Sequence, residues 1–143
     1  MVKTHPIVSK IKKILKVGDN EFSPEFLETL LHETPYFLFS RKKILKNFAE
    51  FKKLFPHSLI HYAMKANSEP EVLRTLAEAD CGFEVASKYE LDMLRPLKVP
   101  PKKIIYGTSV KPATHIKDFF KYGVNRFAAD SFSEIEKIAA HAP

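Results

Sequence analysis

From Tyr36 onward the chain alternates between two kinds of segment. Short apolar runs rich in aromatic or β-branched residues begin near Tyr36 (YFLF), Ser58 (SLIHYAMK), Gly82 (GFEVA), Lys103 (KIIYG) and Arg126 (RFAAD), at spacings of 22, 24, 21 and 23 residues. Runs of this length bounded by polar residues read as buried strands. Between them, apolar residues recur three and four positions apart, as in Ile44, Leu45, Phe48, Phe51, Leu54 and Phe55, or Val72, Leu73, Leu76 and Ala79. That is the spacing of one helix face.

Helix starts carry a second signal. A Ser followed three residues later by Glu lets the two side chains satisfy orphan amide groups reciprocally. Ser68 with Glu71, Ser87 with Glu90 and Ser131 with Glu134 fit it, the last beside Asp130. Residues 1–34 form a lead-in of two expected helices. One is short and basic, with Ile11, Ile14, Leu15 and Val17 on one face, and the other runs from Ser23 to about His32, with Pro24 as its start signal.

Strand, short loop and capped helix, repeated five times at about 23 residues, imply an α/β fold with parallel strands joined by right-handed crossovers. Two architectures remain. A five-stranded open sheet would be complete at 143 residues, whereas a (β/α)8 barrel needs eight units and about 250. The loop after the first run, FSRKK, has no glycine, unlike the phosphate-binding loop of an open doubly wound sheet. The second run ends in Lys65, and barrels carry functional groups at that end of a strand. The barrel is therefore favoured, with residues 35–143 as its N-terminal part, a truncated fold that lacks three units.

Composition narrows the setting. Apolar residues make up 45% and charged residues 28%, without an eighteen-residue apolar run, which argues against a membrane span. The single cysteine, Cys81, excludes an intramolecular disulfide and reads as a small buried hydrophobe in a cytoplasmic protein. The net charge of +6 is uneven, with eleven basic and six acidic residues in 1–57 but twelve and eleven beyond, which does not suggest a nucleic-acid stripe. The basic run Lys10 to Lys16 reads as a solvated helix face.

Lys65 holds the sharpest candidate chemistry. At the end of a strand buried on both faces, desolvation would favour its neutral amine, the form that condenses with an aldehyde. The alternative is a lysine that snorkels to solvent or pairs with a carboxylate. Glu84, on the neighbouring strand, either steers the protonation of such an amine or forms a plain buried salt bridge. His57 and His61 have no partner at metal-ligand spacing and read as structural, so no metal site is expected.

These residues carry a resemblance. HYAMKANSEPEVLRTLAEADCGFEVASKYELDML, continued by IIYGTSVKPATHIKDFFKYGVNRFAADSFSEIEKIAAHAP, resembles the N-terminal barrel segment of the fold-type III pyridoxal 5'-phosphate (PLP) decarboxylases, the ornithine/diaminopimelate/arginine decarboxylase family. Its three motifs are Tyr62 to Asn67, Gly82 to Ser87, and Asp130-Ser131. The IIYGTSVKP stretch with Lys111 is most similar to bacterial ornithine or lysine/ornithine decarboxylases. The resemblance implies that Lys65 is the lysine bound to PLP, that Glu84 and Glu90 are acids near the cofactor, and that Ala63 and Ala86 are small flanking residues. Glu84 stands where Asp is commoner. Asn67 is expected to bond its own loop.

The resemblance also implies decarboxylation of a basic amino acid, ornithine foremost, to a polyamine precursor, with diaminopimelate or arginine as alternative substrates. The phosphate loop, the acid on the pyridinium nitrogen, the stacking His and a C-terminal β-domain that completes the site across a homodimer would lie beyond Pro143. On that reading the 143-residue chain alone is inactive. A non-catalytic homologue acting by protein binding is the competing class, and retention of Lys65 argues against it. An alanine-racemase-like PLP carrier is a third, and GFEVAS favours the decarboxylases.

Overall fold

The computed structural model describes residues 22–29 and 37–143, so the expected basic helix lies outside the described residues. The chain divides into two compact units, Met1–Ser40 and Arg41–Pro143.

In the first unit, α1 spans Pro24–Thr29. Its start is the one expected, since Ser23 Oγ accepts the Phe26 amide proton at 3.1 Å and Pro24 occupies the first helical position. The expected continuation to His32 lies outside the described residues. Phe37 to Ser40 are not a strand, contrary to the reading of YFLF. Phe37 and Phe39 project to one side and stack at 6.3 Å, as in extended backbone. No ladder partner holds them among the described residues, and Phe37 is 86% exposed.

The second unit runs α2 (Arg41–Leu54), β1 (His61–Ala63), α3 (Pro70–Glu78), β2 (Gly82–Val85), α4 (Lys88–Leu94), β3 (Ile104–Tyr106), α5 (Ala113–Tyr122) and α6 (Phe132–His141). The strands pair in parallel in chain order, β1 to β2 to β3. The register sets Ala63 opposite Glu84 and Glu84 opposite Ile105. The expected fifth run enters only as one parallel bridge, Tyr106 to Phe127. Sequential order is that of a barrel wall, whereas a doubly wound sheet reverses direction at a switch point.

Alternation along the strands divides the sheet into two unlike faces. Phe83, Val85, Ile104 and Tyr106 point one way and are fully buried, packed in a core with Leu73, Leu76, Leu91, Leu94 and Phe119 from the helices. Each such side chain contributes about 1.5–3 kcal/mol of transfer free energy. His61, Ala63, Glu84, Ile105 and Gly107 belong to the other face and are only half-buried. The expectation of burial on both faces thus holds for one, because the described helices cover one side of the sheet.

The three capping boxes also diverge. Ser68 caps nothing: α3 starts at Pro70 with Glu69 as its cap residue in extended conformation. A residue before proline is pushed out of the helical region, which places the boundary one residue too late for Ser68. Asn67 Oδ1 instead accepts the Glu69 amide proton at 2.9 Å, the loop-bonding role expected of Asn67. Ser87 and Ser131 do cap α4 and α6. Two helices end in left-handed turns closed by six-residue bonds, Cys81 to Leu76 and Val124 to Phe119, each 3.0 Å. The left-handed residues are Asp80 at φ 67° and Gly123 at φ 101°.

Candidate active site

The sheet's C-terminal end gathers the sequence's candidate residues on and beside its open face. β1 stops at Ala63, and a single 3-10 turn, Met64–Ala66, follows. That turn drives Met64 to zero exposure and leaves Lys65 exposed at the rim. The expected desolvation of Lys65 is therefore absent from this chain's own geometry, because the early turn rotates its side chain away from the core. Among the described residues Lys65 has neither a hydrogen bond nor an ion pair, which removes the carboxylate-paired alternative. The hydroxyl of Tyr62 donates to the Asn67 carbonyl at 3.0 Å and ties down the far side of the same loop.

Glu84 lies one strand over, level with Ala63. Its carboxylate rests on Gly107: a methyl group at that glycine would come within 1.9 Å of Glu84 Oε1 and 2.5 Å of Cδ. Gly107 is fixed in the sheet by its own amide, which donates to the Val85 carbonyl at 2.8 Å. The seat of Glu84 is thus a glycine that no larger residue could replace without moving the carboxylate. Glu84 forms no ion pair among the described residues, so the buried salt bridge considered for it is not seen.

Glu90 is occupied with the turn that follows. Its Oε2 accepts the Ala86 amide proton at 2.6 Å, while its own amide donates to Ser87 Oγ at 3.3 Å. The carboxylate clasps the strand-to-helix turn two residues after Glu84, and Ala86 is part of that clasp.

The β3–α5 loop, next along, carries a buried cation that the sequence did not reveal as one. Lys111 is 1% exposed. Its ammonium donates to the Ala128 carbonyl, to the Ser109 carbonyl at 3.4 Å and to Glu134 Oε1 at 3.4 Å. Its backbone amide donates to the same Oε1 at 3.0 Å. Glu134 also meets Lys137 Nζ at 2.6 Å, and Lys137 first, then Lys111, hold its carboxyl below the usual carboxylate range against the cost of burial. The Lys111 ammonium lies 5.5 Å from the Tyr106 ring centroid, and that ring stacks on Phe119 at 3.9 Å. Burial pushes the Tyr106 hydroxyl up to about 12. Ser131 with Glu134 signalled only a helix start. The burial of Lys111 had no local signal, since two of its three partners, Ala128 and Glu134, lie 17 and 23 residues away.

Hollows lie elsewhere among the described residues, two of them against β1. One of about 380 Å³ opens at the N-terminal end of the sheet between Lys52, His61, Lys102, Lys103 and Arg126. There His61 lies against Gly82 with a buried Nε2 that has no partner among the described residues, and burial lowers its pKa. The other, about 370 Å³, lies between α2 and β1 and reaches Ala63 and Ala66. Neither is lined by Lys65 or Glu84. Cys81, its thiol pushed up to about 11 by burial, is the inert apolar residue expected. Among the described residues no cluster of three His, Cys, Asp or Glu side chains could hold a metal, and no helix is long and apolar enough to cross a membrane.

The arrangement at the C-terminal end suits an aldehyde-bearing ring ligand at two points. Lys65 offers an amine at the rim, and Ala63 and Gly107 leave room on the face that carries the Glu84 carboxylate. The phosphate end is not served by a glycine-rich loop, since the four glycines are dispersed at 18, 82, 107 and 123.

Comparison with known proteins agrees with this geometry. Residues 41–143 match the family model for the pyridoxal-binding domain of pyridoxal-dependent decarboxylases. The chain is 38% identical over 110 residues to the lysine/ornithine decarboxylase of Selenomonas ruminantium, an overlap of 77% of this chain and 28% of that protein. It is 35% identical over 115 residues to antizyme inhibitor 1 of Pongo abelii, covering 80% of this chain and 26% of the relative. Among solved structures, lysine decarboxylase from Selenomonas ruminantium superposes with a TM-score of 0.82 at 35% identity, over 88% of this chain and 34% of the other. Ornithine decarboxylase from Entamoeba histolytica does so at 0.77 and 30%, over 83% and 37%. The chain spans about a quarter of the length of the curated relatives and about a third of the solved ones. The match over residues 41–143, on a parallel, sequentially ordered sheet of the kind that forms a barrel wall, shows that the chain belongs, through its pyridoxal-binding domain, to the fold-type III PLP-dependent decarboxylase family.

Proposed function

We propose that this chain is the cofactor-holding part of a PLP-dependent decarboxylase acting on a basic amino acid, with ornithine as the favoured substrate. Residues 1–34 are read as the lead-in and 35–143 as the partial barrel; the second compact unit and the family match both begin six residues later, at Arg41. The observation that carries the reading is Lys65, an exposed amine at the C-terminal rim without a partner among the described residues, one strand from the Glu84 carboxylate. Support for the substrate class comes from the likeness to a lysine/ornithine decarboxylase and to SrLDC, solved with PLP and cadaverine.

In this reading Lys65 Nζ would hold the aldehyde end of the cofactor. Glu84 would set a negative charge beside the ring, held on Gly107 and backed by the turn that Glu90 clasps. Bound PLP supplies an electron sink for the carbanion left as carbon dioxide departs. Activity rests on further elements of the kind found in the full-length relatives, and a homodimer is part of the proposal. The chain alone is expected to release no carbon dioxide.

A PLP titration followed by absorbance tests the reading. A band near the visible edge that borohydride shifts and Lys65→Ala removes supports it, and absence of any such band in a full-length protein containing this chain contradicts it. Carbon dioxide release from ornithine, lysine, diaminopimelate and arginine then ranks the substrates. Likeness to antizyme inhibitor 1 favours one second reading, a homologue that acts by binding protein. On that reading Lys65→Ala would leave the function of this chain intact.

A further inference from the structure

The loop after β3 is fastened far more heavily than its neighbours. A buried lysine has three protons to satisfy, and Lys111 places them on three separate elements: its own loop at Ser109, the segment after Phe127 at Ala128, and the first turn of α6 at Glu134. The backbone amide of Lys111 adds a fourth tie, to Glu134 at 3.0 Å. The same loop begins at Gly107, whose Cα is the seat of the Glu84 carboxylate.

We propose that Lys111 is a positioning residue for Glu84: the Gly107 amide holds the near end of the Gly107–Lys111 loop on Val85, and Lys111 with Glu134 holds the far end, so that the Gly107 Cα stays against the carboxylate. This rests on the proposed function in assigning a use to Glu84, but the mechanical link stands by itself. A buried ion pair is a weak device for stability, since apolar residues of similar volume often serve as well or better. It is a strong device for direction, because a charged donor among three acceptors has one satisfied arrangement. An apolar substitute would fill the space and leave the loop free to shift.

The test uses the 143-residue chain labelled with ¹³C at glutamate carboxyls, the Glu84 signal being assigned by Glu84→Gln. Lys111→Met combined with Glu134→Leu keeps volume and removes both charges. It is expected to keep a urea midpoint near that of the unaltered chain, to shift the Glu84 signal, and to weaken PLP binding about tenfold, the scale on which outer-shell partners act. An unchanged Glu84 signal together with PLP binding within twofold of the original overturns the proposal. Should the double variant fail to fold, Lys111→Arg decides, because a planar fork cannot serve the same three acceptors. A shifted Glu84 signal in Lys111→Arg supports the link and an unmoved one ends it. If the unaltered chain does not bind PLP, the Glu84 signal still decides the positioning role separately from the function.

Discussion

Lys65 and Lys111 both follow a parallel strand by a few residues and both enter the loops at the C-terminal end of one sheet, yet their surroundings are opposite. Lys65 leaves a 3-10 turn exposed, without a hydrogen bond or ion pair among the described residues. Lys111 is sealed at 1% exposure with carbonyl and carboxylate oxygens around its ammonium. Position after a strand therefore does not tell a buried, paired lysine from an open one. What separates them is whether the protein spends the ammonium's three protons itself or leaves the amine open to a ligand.

The largest expected effect comes from removing the floor beneath the buried lysine. Tyr106→Ala deletes a fully buried ring stacked on Phe119 and is expected to cost about 3–5 kcal/mol, read as a fall in the urea unfolding midpoint. A loss below about 1 kcal/mol would mean that this core is loosely packed. Next, the two lysines exchange roles if the contrast is wrong. Lys111→Ala is expected to lower the midpoint well beyond any surface change, since it strips the Ala128 and Ser109 carbonyls of their buried donor and leaves Glu134 with only Lys137 and the backbone amide of position 111. Lys65→Ala is expected to stay within about 0.5 kcal/mol of the original.

Acid titration sharpens the same contrast. The Glu134 carboxyl sits below its unfolded value, so its contribution is present above the ordinary carboxylate range near pH 4.3 and is lost as pH falls through the lowered value. Glu134→Gln should flatten that acid limb in a denaturation series run from pH 6 to pH 2, and an unaltered limb would place the acid sensitivity elsewhere. The smallest effect separates the helix caps. Ser87→Ala is expected to cost about 1 kcal/mol, whereas Ser68→Ala, which removes no cap, should be neutral by the same urea measurement.

Much of this fold was legible in the chain. The period of about 23 residues located β1, β2, β3 and the Phe127 bridge, and the apolar spacing located α2 and α3. Misreadings came from interactions with no local signature. YFLF has the composition of a strand, but a strand exists only where a partner supplies a ladder, and Phe37 to Ser40 have none among the described residues. Ser68 has the spacing of a cap, but Pro70 fixes the boundary after Glu69. Lys65 and Glu84 could be named from the sequence and their motif. The Gly107 seat and the Lys111–Glu134 latch could not, because each depends on residues 23 apart meeting across the sheet.

The central claim, that Lys65 is the amine this fold leaves open for the cofactor, is tested most directly by trapping. A full-length protein containing this chain is incubated with PLP, reduced with borohydride, digested and mapped by mass spectrometry. The account predicts a single pyridoxyl group on Lys65 and none on Lys111. Label on Lys111, or spread evenly over the surface lysines with Lys65 no more modified than the rest, would contradict it.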